Sequence, residues 1–121
     1  MAARLRFGLI GSGYMGRAHA IALHSVAAAF GADYAVECLS LADVTPERAR
    51  EAAAALGFAT GTADWRSIIA DPRIDVDDIC TPNHLHAEMA LAAIAAGKHV
   101  YCENPLALDM RESAAIVEAA Q

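Results

Sequence analysis

Six residues near the start, Gly11-Ser12-Gly13-Tyr14-Met15-Gly16, follow the apolar run Phe7-Gly8-Leu9-Ile10 and lead into an alanine-rich helical stretch. A strand that turns on glycine directly into a helix leaves few folds open, because it is how a βαβ unit of a parallel sheet begins. Each glycine at this spacing has its own task. Gly11 permits the sharp exit from the strand, Gly13 lets the backbone approach a diphosphate, and Gly16 lets the helix lie close to the sheet. The first helical N–H groups lack intrahelical partners and point at any anion held there. Ordinary turns also produce G-x-G-x-x-G. Its position at the end of the first apolar strand is what points to nucleotide binding, with Ser12, Tyr14 and Met15 completing the binding loop.

Strand-like and helix-like patterns then alternate to the end of the chain. They predict strands at about 5–10, 35–42, 58–60, 75–80 and 99–102. Helices are expected at about 14–30, from Thr45-Pro46-Glu47 to just before Gly57, from Asp64 to Asp71-Pro72, from Asn83 to Gly97, and from Asp109 onward. Thr45, Asp64, Asn83 and Asp109 serve as N-caps in this scheme, and Glu112 completes a capping-box variant. Met15, Ala18, Ala22, Ser25 and Ala29 are expected to form the sheet-facing stripe of the first helix. The simplest assembly is an α/β Rossmann fold. It is a doubly wound parallel sheet in the order 3-2-1-4-5 with helices on both faces. Right-handed crossovers place all strand C-termini at one rim, where Gly11–Gly16, Asp43, Thr81–Asn83 and Glu103 meet.

Residues 1–121 suffice for a single dinucleotide-binding domain. The net charge of −6 argues against a nucleic-acid partner. The sequence has neither a lipid-binding basic run nor an apolar stretch of ~18 residues that could cross a membrane. Met1-Ala2-Ala3-Arg4-Leu5-Arg6 superficially resembles a signal peptide, but the apolar run behind it is short and broken by Gly8, Gly11 and Gly13. A surface lead into the first strand is expected instead. Cys38, Cys80 and Cys102 are odd in number and lack metal-like spacing, so buried thiols of a cytoplasmic protein are expected. The histidines at 19, 24, 84, 86 and 99 have no carboxylate or cysteine at a supporting interval, and no metal is expected.

Asp43, directly after the second strand, can accept hydrogen bonds from both adenosine ribose hydroxyls and would repel a 2′-phosphate, which favours NAD over NADP. Arg48 and Arg50 lie within the following helix and are poorly placed to reverse that preference. Otherwise Asp43 is a surface acid ahead of a capped helix. In Thr81-Pro82-Asn83, Pro82 ends the fourth strand and Asn83 either caps a helix or faces the nicotinamide half of a cofactor. His86 lies just inside that helix. S-adenosylmethionine would also suit Asp43, but Gly16 and the Glu103 region favour a dinucleotide.

Four ordered motifs carry a resemblance that covers the whole chain. They are Gly11–Gly16, Asp43, the T-P-N-x-x-H run Thr81–His86, and A-G-K-H-V-x-C-E at Ala96–Glu103. Together they resemble the N-terminal NAD(P)-binding domain of the Gfo/Idh/MocA oxidoreductases, the family of glucose–fructose oxidoreductase and inositol 2-dehydrogenase. The resemblance implies hydride transfer between a nicotinamide and a secondary alcohol of a sugar- or cyclitol-like small molecule. It implies cofactor contacts from Thr81, Pro82, Asn83, His86, Glu103 and Asn104. It also implies a C-terminal substrate domain, which these residues do not include. Apolar surface uncovered by that domain's absence would favour a homo-oligomer.

Two positions depart from the family pattern. Glu103-Asn104-Pro105 stands where Glu-Lys-Pro is usual. Asn104 therefore occupies the position of a catalytic lysine, yet a neutral amide cannot act as acid or base near pH 7. That leaves room for a non-catalytic NAD-binding module, a regulator, or an inactive truncated remnant. The second departure is Asp77, which lies inside a strand expected to be covered on both faces. There a carboxylate needs partners or takes a raised pKa.

Overall fold

The computed structural model describes residues 3–31 and 33–121. Met1 and Ala2, the start of the expected surface lead, lie outside the described residues. The elements run β1 (Ala3–Ile10), α1 (Tyr14–Phe30), β2 (Tyr34–Ala42), α2 (Pro46–Leu56), β3 (Thr60–Thr62), α3 (Trp65–Ala70), β4 (Val76–Ile79), a 3-10 turn (Asn83–Leu85), α4 (His86–Ala95), β5 (His99–Cys102) and α5 (Met110–Ala120). All neighbouring strands pair in parallel, and the sheet order is β3-β2-β1-β4-β5. This is the Rossmann arrangement expected from the alternating pattern.

The sheet divides two apolar clusters. On one face Leu9, Cys38, Leu41 and Phe58 meet Ala20 of α1 and Ala53 of α2. On the other, Ile10 and Ile79 meet Ile68, Ile69, Met89, Ala90, Ala93 and Ile116 from α3, α4 and α5. The small helix residues let the helical axes approach the sheet, and branched strand residues fill the pleat.

The local stop signals act as their chemistry requires. Thr45 accepts from the Arg48 N–H, and Gly57 ends α2 in the left-handed region at φ +75. Asp64 accepts from the Arg66 N–H. Asp109 accepts from the Glu112 N–H at 2.8 Å, and the Glu112 carboxylate returns to the Leu108 N–H at 3.0 Å.

Three expectations are corrected. Strand β3 is Thr60–Thr62, two residues later than expected, because Phe58, just past the Gly57 cap, is still tied to the end of α2. Its N–H bonds back to the Ala53 carbonyl, and its ring is buried beside Ala53 and Leu41. Asn83 does not cap a helix. It opens a 3-10 turn with no side-chain cap, and α4 starts three residues on at His86. The buried residues of α1 are Gly16, His19 and Ala20, whereas Met15 is exposed. The stripe is offset because Gly16, having no side chain, lets that side of the helix lie directly against the turn. A Cβ on Gly16 would lie 2.1 Å from the Gly11 carbonyl oxygen.

Candidate coenzyme site

The parallel order brings four chain segments to one rim. They are the turn after β1, Asp43 after β2, Thr81–Asn83 after β4, and Glu103–Asn104 after β5. Gly11 takes φ +97, and its N–H bonds the Ala42 carbonyl at 2.9 Å. A Cβ there would meet the Cys80 carbonyl oxygen at 2.7 Å, so β1 and β4 leave no space for a side chain. Over Gly13 the situation reverses, because a Cβ there would have nothing within 4 Å. The turn is therefore tightly braced beneath and open above. Gly13 ends outside the helix with its carbonyl accepting from Arg17 at 2.9 Å, and Tyr14 stands 87% exposed beside it.

Asp43 faces this turn. Its Oδ2 accepts from the Ser12 hydroxyl, and its Oδ1 accepts from the Val44 N–H at 2.7 Å. Burial alone would raise its carboxyl. The hydrogen bonds from Ser12 and Val44 and the Arg48 charge outweigh that and hold it below the usual value. Arg48, although in α2 as expected, comes closer than its helical position suggested, with Nε 3.8 Å from Oδ1. The result is a fixed carboxylate at the edge of an anion-accepting turn.

Across the rim, Asn83 and Asn104 are exposed, and the Asn104–Pro105 bond is cis. His86 takes a different place from that expected. It is completely buried, with Nδ1 2.8 Å from the Pro105 carbonyl and Nε2 2.8 Å from the Thr81 carbonyl. It ties together the loops after β4 and β5 from behind the rim.

A cluster that the sequence did not reveal underlies Glu103. His19 Nε2 lies 2.5 Å from Glu103 Oε1, and His19 Nδ1 lies 2.8 Å from Asp78 Oδ1. Burial would lower the imidazole, but Asp78 and then Glu103 outweigh it and raise His19. The Cys80 thiol sits 3.4 Å from Asp78 Oδ1 and 3.3 Å from His19 Nδ1. Donor atoms of His19, Asp78 and Cys80 all fall within 4.8 Å of one another, a spacing a metal could use. Burial, followed by the Asp78 charge, pushes the Cys80 thiol far up, and the protonated sulfur donates to Asp78. The signal available in the sequence was Asp78 itself. On a strand covered on both faces it must point opposite to Asp77, toward α1, where His19 lies one helical turn after Gly16.

Cys38, Cys80 and Cys102 are all free thiols. A separate apolar groove of about 1080 Å³ beside β5 and α5 holds none of the rim residues. No helix among the described residues is long and apolar enough to cross a membrane.

The geometry fits a dinucleotide. The braced turn, the space over Gly13 and the carboxylate beyond it meet the needs of a diphosphate and a ribose. Comparison with known proteins agrees. The model of the Gfo/Idh/MocA oxidoreductase family, described as an NAD-binding Rossmann fold, matches residues 5–121. Levoglucosan dehydrogenase of Pseudarthrobacter phenanthrenivorans is 51% identical over 116 residues, covering 95% of this chain and 30% of that protein. Myo-inositol 2-dehydrogenase of Thermotoga maritima is 32% identical, covering 94% of this chain and 32% of its own length. Among solved structures, levoglucosan dehydrogenase in complex with NADH and L-sorbose superposes with a TM-score of 0.94 at 49% identity, over 98% of this chain and 32% of that one. The chain thus spans about a third of the length of the relatives it matches.

Proposed function

Because this chain belongs to the Gfo/Idh/MocA oxidoreductase family as its NAD-binding Rossmann domain, we propose that it is the coenzyme-binding part of an NAD-dependent dehydrogenase. Its reaction moves a hydride between nicotinamide and a secondary alcohol of a sugar- or cyclitol-like substrate. Support for that substrate class comes from relatives that are levoglucosan and inositol dehydrogenases. The rest of the substrate pocket would come from a second domain, as expected from the family.

The observation that carries this reading is the Asp43 carboxylate turned into the glycine turn by Ser12. In the proposed complex, the N–H groups at the start of α1 face the diphosphate and Gly13 leaves it room. Ser12, Tyr14, Met15 and Gly16 complete that loop. Asp43 accepts from the adenosine ribose hydroxyls, and its charge disfavours a 2′-phosphate. Thr81, Pro82, Asn83, Glu103 and Asn104 border the other nucleotide, while His86 fixes the two loops that carry them. Bound there, nicotinamide supplies the hydride-transfer chemistry. Asn104 can position a hydroxyl through its amide but cannot take up or release its proton. Proton transfer therefore falls to another group.

Calorimetry of the chain with NADH and NADPH tests this reading. Measurable NADH binding, at least about tenfold tighter than NADPH, is expected from one repelled phosphate charge beside Asp43. Tighter binding of NADPH refutes the role of Asp43, and binding of neither refutes the coenzyme reading.

A further inference from the structure

Glu103 is a rim carboxylate held from behind. One oxygen lies 2.5 Å from His19 Nε2, and its side chain is 22% exposed. Its other oxygen makes no hydrogen bond among the described residues. His19 is 9% exposed and Asp78 is fully buried, and Asp78 places both oxygens on His19 Nδ1, at 2.8 and 3.0 Å. Both imidazole nitrogens thus face carboxylates. An ionised carboxylate only accepts, and a neutral imidazole donates from one nitrogen only. With both carboxylates ionised, the ring satisfies both neighbours only as the imidazolium.

No lysine or arginine among the described residues pairs with Asp78, His19 or Glu103, so the three carry a net charge of −1 when His19 is protonated. The other titratable groups around the ring are Cys80 and Tyr101, whose ring centroid is 4.8 Å from that of His19. The thiols of Cys38 and Cys102 lie within the field of Asp78. The three thiols are all raised, and Cys38 and Cys102 are pushed up to about 11, first by burial and then by the nearby carboxylates.

The strand order decides which part of a coenzyme Glu103 can meet. The glycine turn follows β1, and Asp43 stands one strand away on the β2 side. Glu103 stands two strands away on the opposite side, beyond β4. From Asp43 to Glu103 is three strand spacings, about 14 Å, with the diphosphate turn between them. Glu103 therefore belongs to the nucleotide that Asp43 does not hold.

We propose that His19 is a positioning residue: as an imidazolium anchored by Asp78, it fixes Glu103 so that the free carboxylate oxygen accepts a hydrogen bond from the nicotinamide-side nucleotide. This rests on the coenzyme reading above. His19 acts through Glu103 and touches no coenzyme itself. Its contribution is charge and direction. Without it, Glu103 is free to rotate and a second negative charge is left uncompensated beside Asp78.

The test is a double-mutant cycle on coenzyme affinity. The wild-type chain, His19→Gln, Glu103→Gln and the double variant are titrated with NADH and with ADP, which keeps the diphosphate and lacks the nicotinamide riboside. His19→Gln is expected to weaken NADH about tenfold, the loss of one charge-assisted hydrogen bond, and to leave ADP within about twofold. In the Glu103→Gln background the same change is expected to cost less than about twofold. Equal losses for NADH and ADP, or fully additive losses, overturn the proposal. Nitrogen NMR of the wild-type ring supplies a second measurement should His19→Gln fail to fold. Both nitrogens are expected to carry protons at pH 7, and a neutral tautomer overturns the proposal. Wild-type chain that binds neither NADH nor ADP sinks the coenzyme reading, and this assignment with it. Failure of His19 alone is recognised by normal wild-type binding of both.

Discussion

Replacing Asp77 with valine isolates the cost of one buried charge. Asp77 has no exposed surface, and neither carboxylate oxygen has a hydrogen-bond partner. It sits in the middle of β4 on the face shared with Ile68 and Ile74, both close to Gly8. Burial raises its carboxyl from 3.8 to about 6, against a smaller opposing pull from the Lys98 charge. Lys98 cannot do more, because its Nζ is held by the Asp71 and Ile74 carbonyls at 2.6 Å each. The sign follows from proton counting. Between these two values the folded chain keeps a proton that the unfolded chain has released, so stability falls as pH rises from about 4 to 6 and stays reduced above. A shift of about two pKa units corresponds to about 3 kcal/mol. Asp77→Val removes the titrating group and keeps a branched side chain suited to a central strand.

The variant is therefore expected to be the more stable chain at pH 8, by about 3 kcal/mol from the charge alone. For a chain of this size that is roughly 12 °C in Tm. The gap should widen by about 2 kcal/mol between pH 4.5 and pH 7. Urea unfolding of both chains at several pH values measures it. A gap that does not change with pH, or a valine variant less stable at pH 8, would show that Asp77 is paired or solvated, and the reasoning would fail.

The contrast between Gly13 and Gly16 makes a second prediction. Gly16→Ala should destabilise the fold by about 2 kcal/mol or more through its clash with the Gly11 carbonyl, whereas Gly13→Ala should change stability by less than about 0.5 kcal/mol yet weaken NADH. Thermal unfolding and calorimetry on the same samples check both, and loss of stability in the Gly13 variant would refute the idea that its space is kept for a ligand. In a protein that also carries the substrate domain, Asn104→Lys should raise hydride transfer about tenfold or more, the lower range expected of a restored acid–base group. Steady-state oxidation of a cyclic polyol with NAD measures it, and an unchanged kcat would show that proton transfer is already fully supplied elsewhere.

Much of this protein was legible in the sequence because the signals are local. Helix α1 begins and ends where the glycine turn and the helical run place it, β5 matches its expected span, and Thr45, Asp64 and Asp109 cap the helices they precede. Caps, turns and strand alternation depend on the nearest few residues, so a linear pattern specifies them. The strand order also followed, since right-handed crossovers leave few arrangements for five βα units.

Contacts between distant segments were a different matter. Whether Asn83 caps a helix or stays free at the rim was decided by a 3-10 turn after Pro82. His86 went behind the rim because two carbonyls from separate loops converge on it. His19, Asp78 and Glu103 lie 59 and 84 residues apart along the chain, and only the stacking of α1 over β4 and β5 makes them one group. Sequence alone determined the succession of strands and longer helices and which strand ends share a rim, because those depend on local geometry and chain chirality. Tertiary structure alone decided which side chains lose water together and therefore which carboxylate is left without a partner, because burial and charge pairing are properties of neighbours in space.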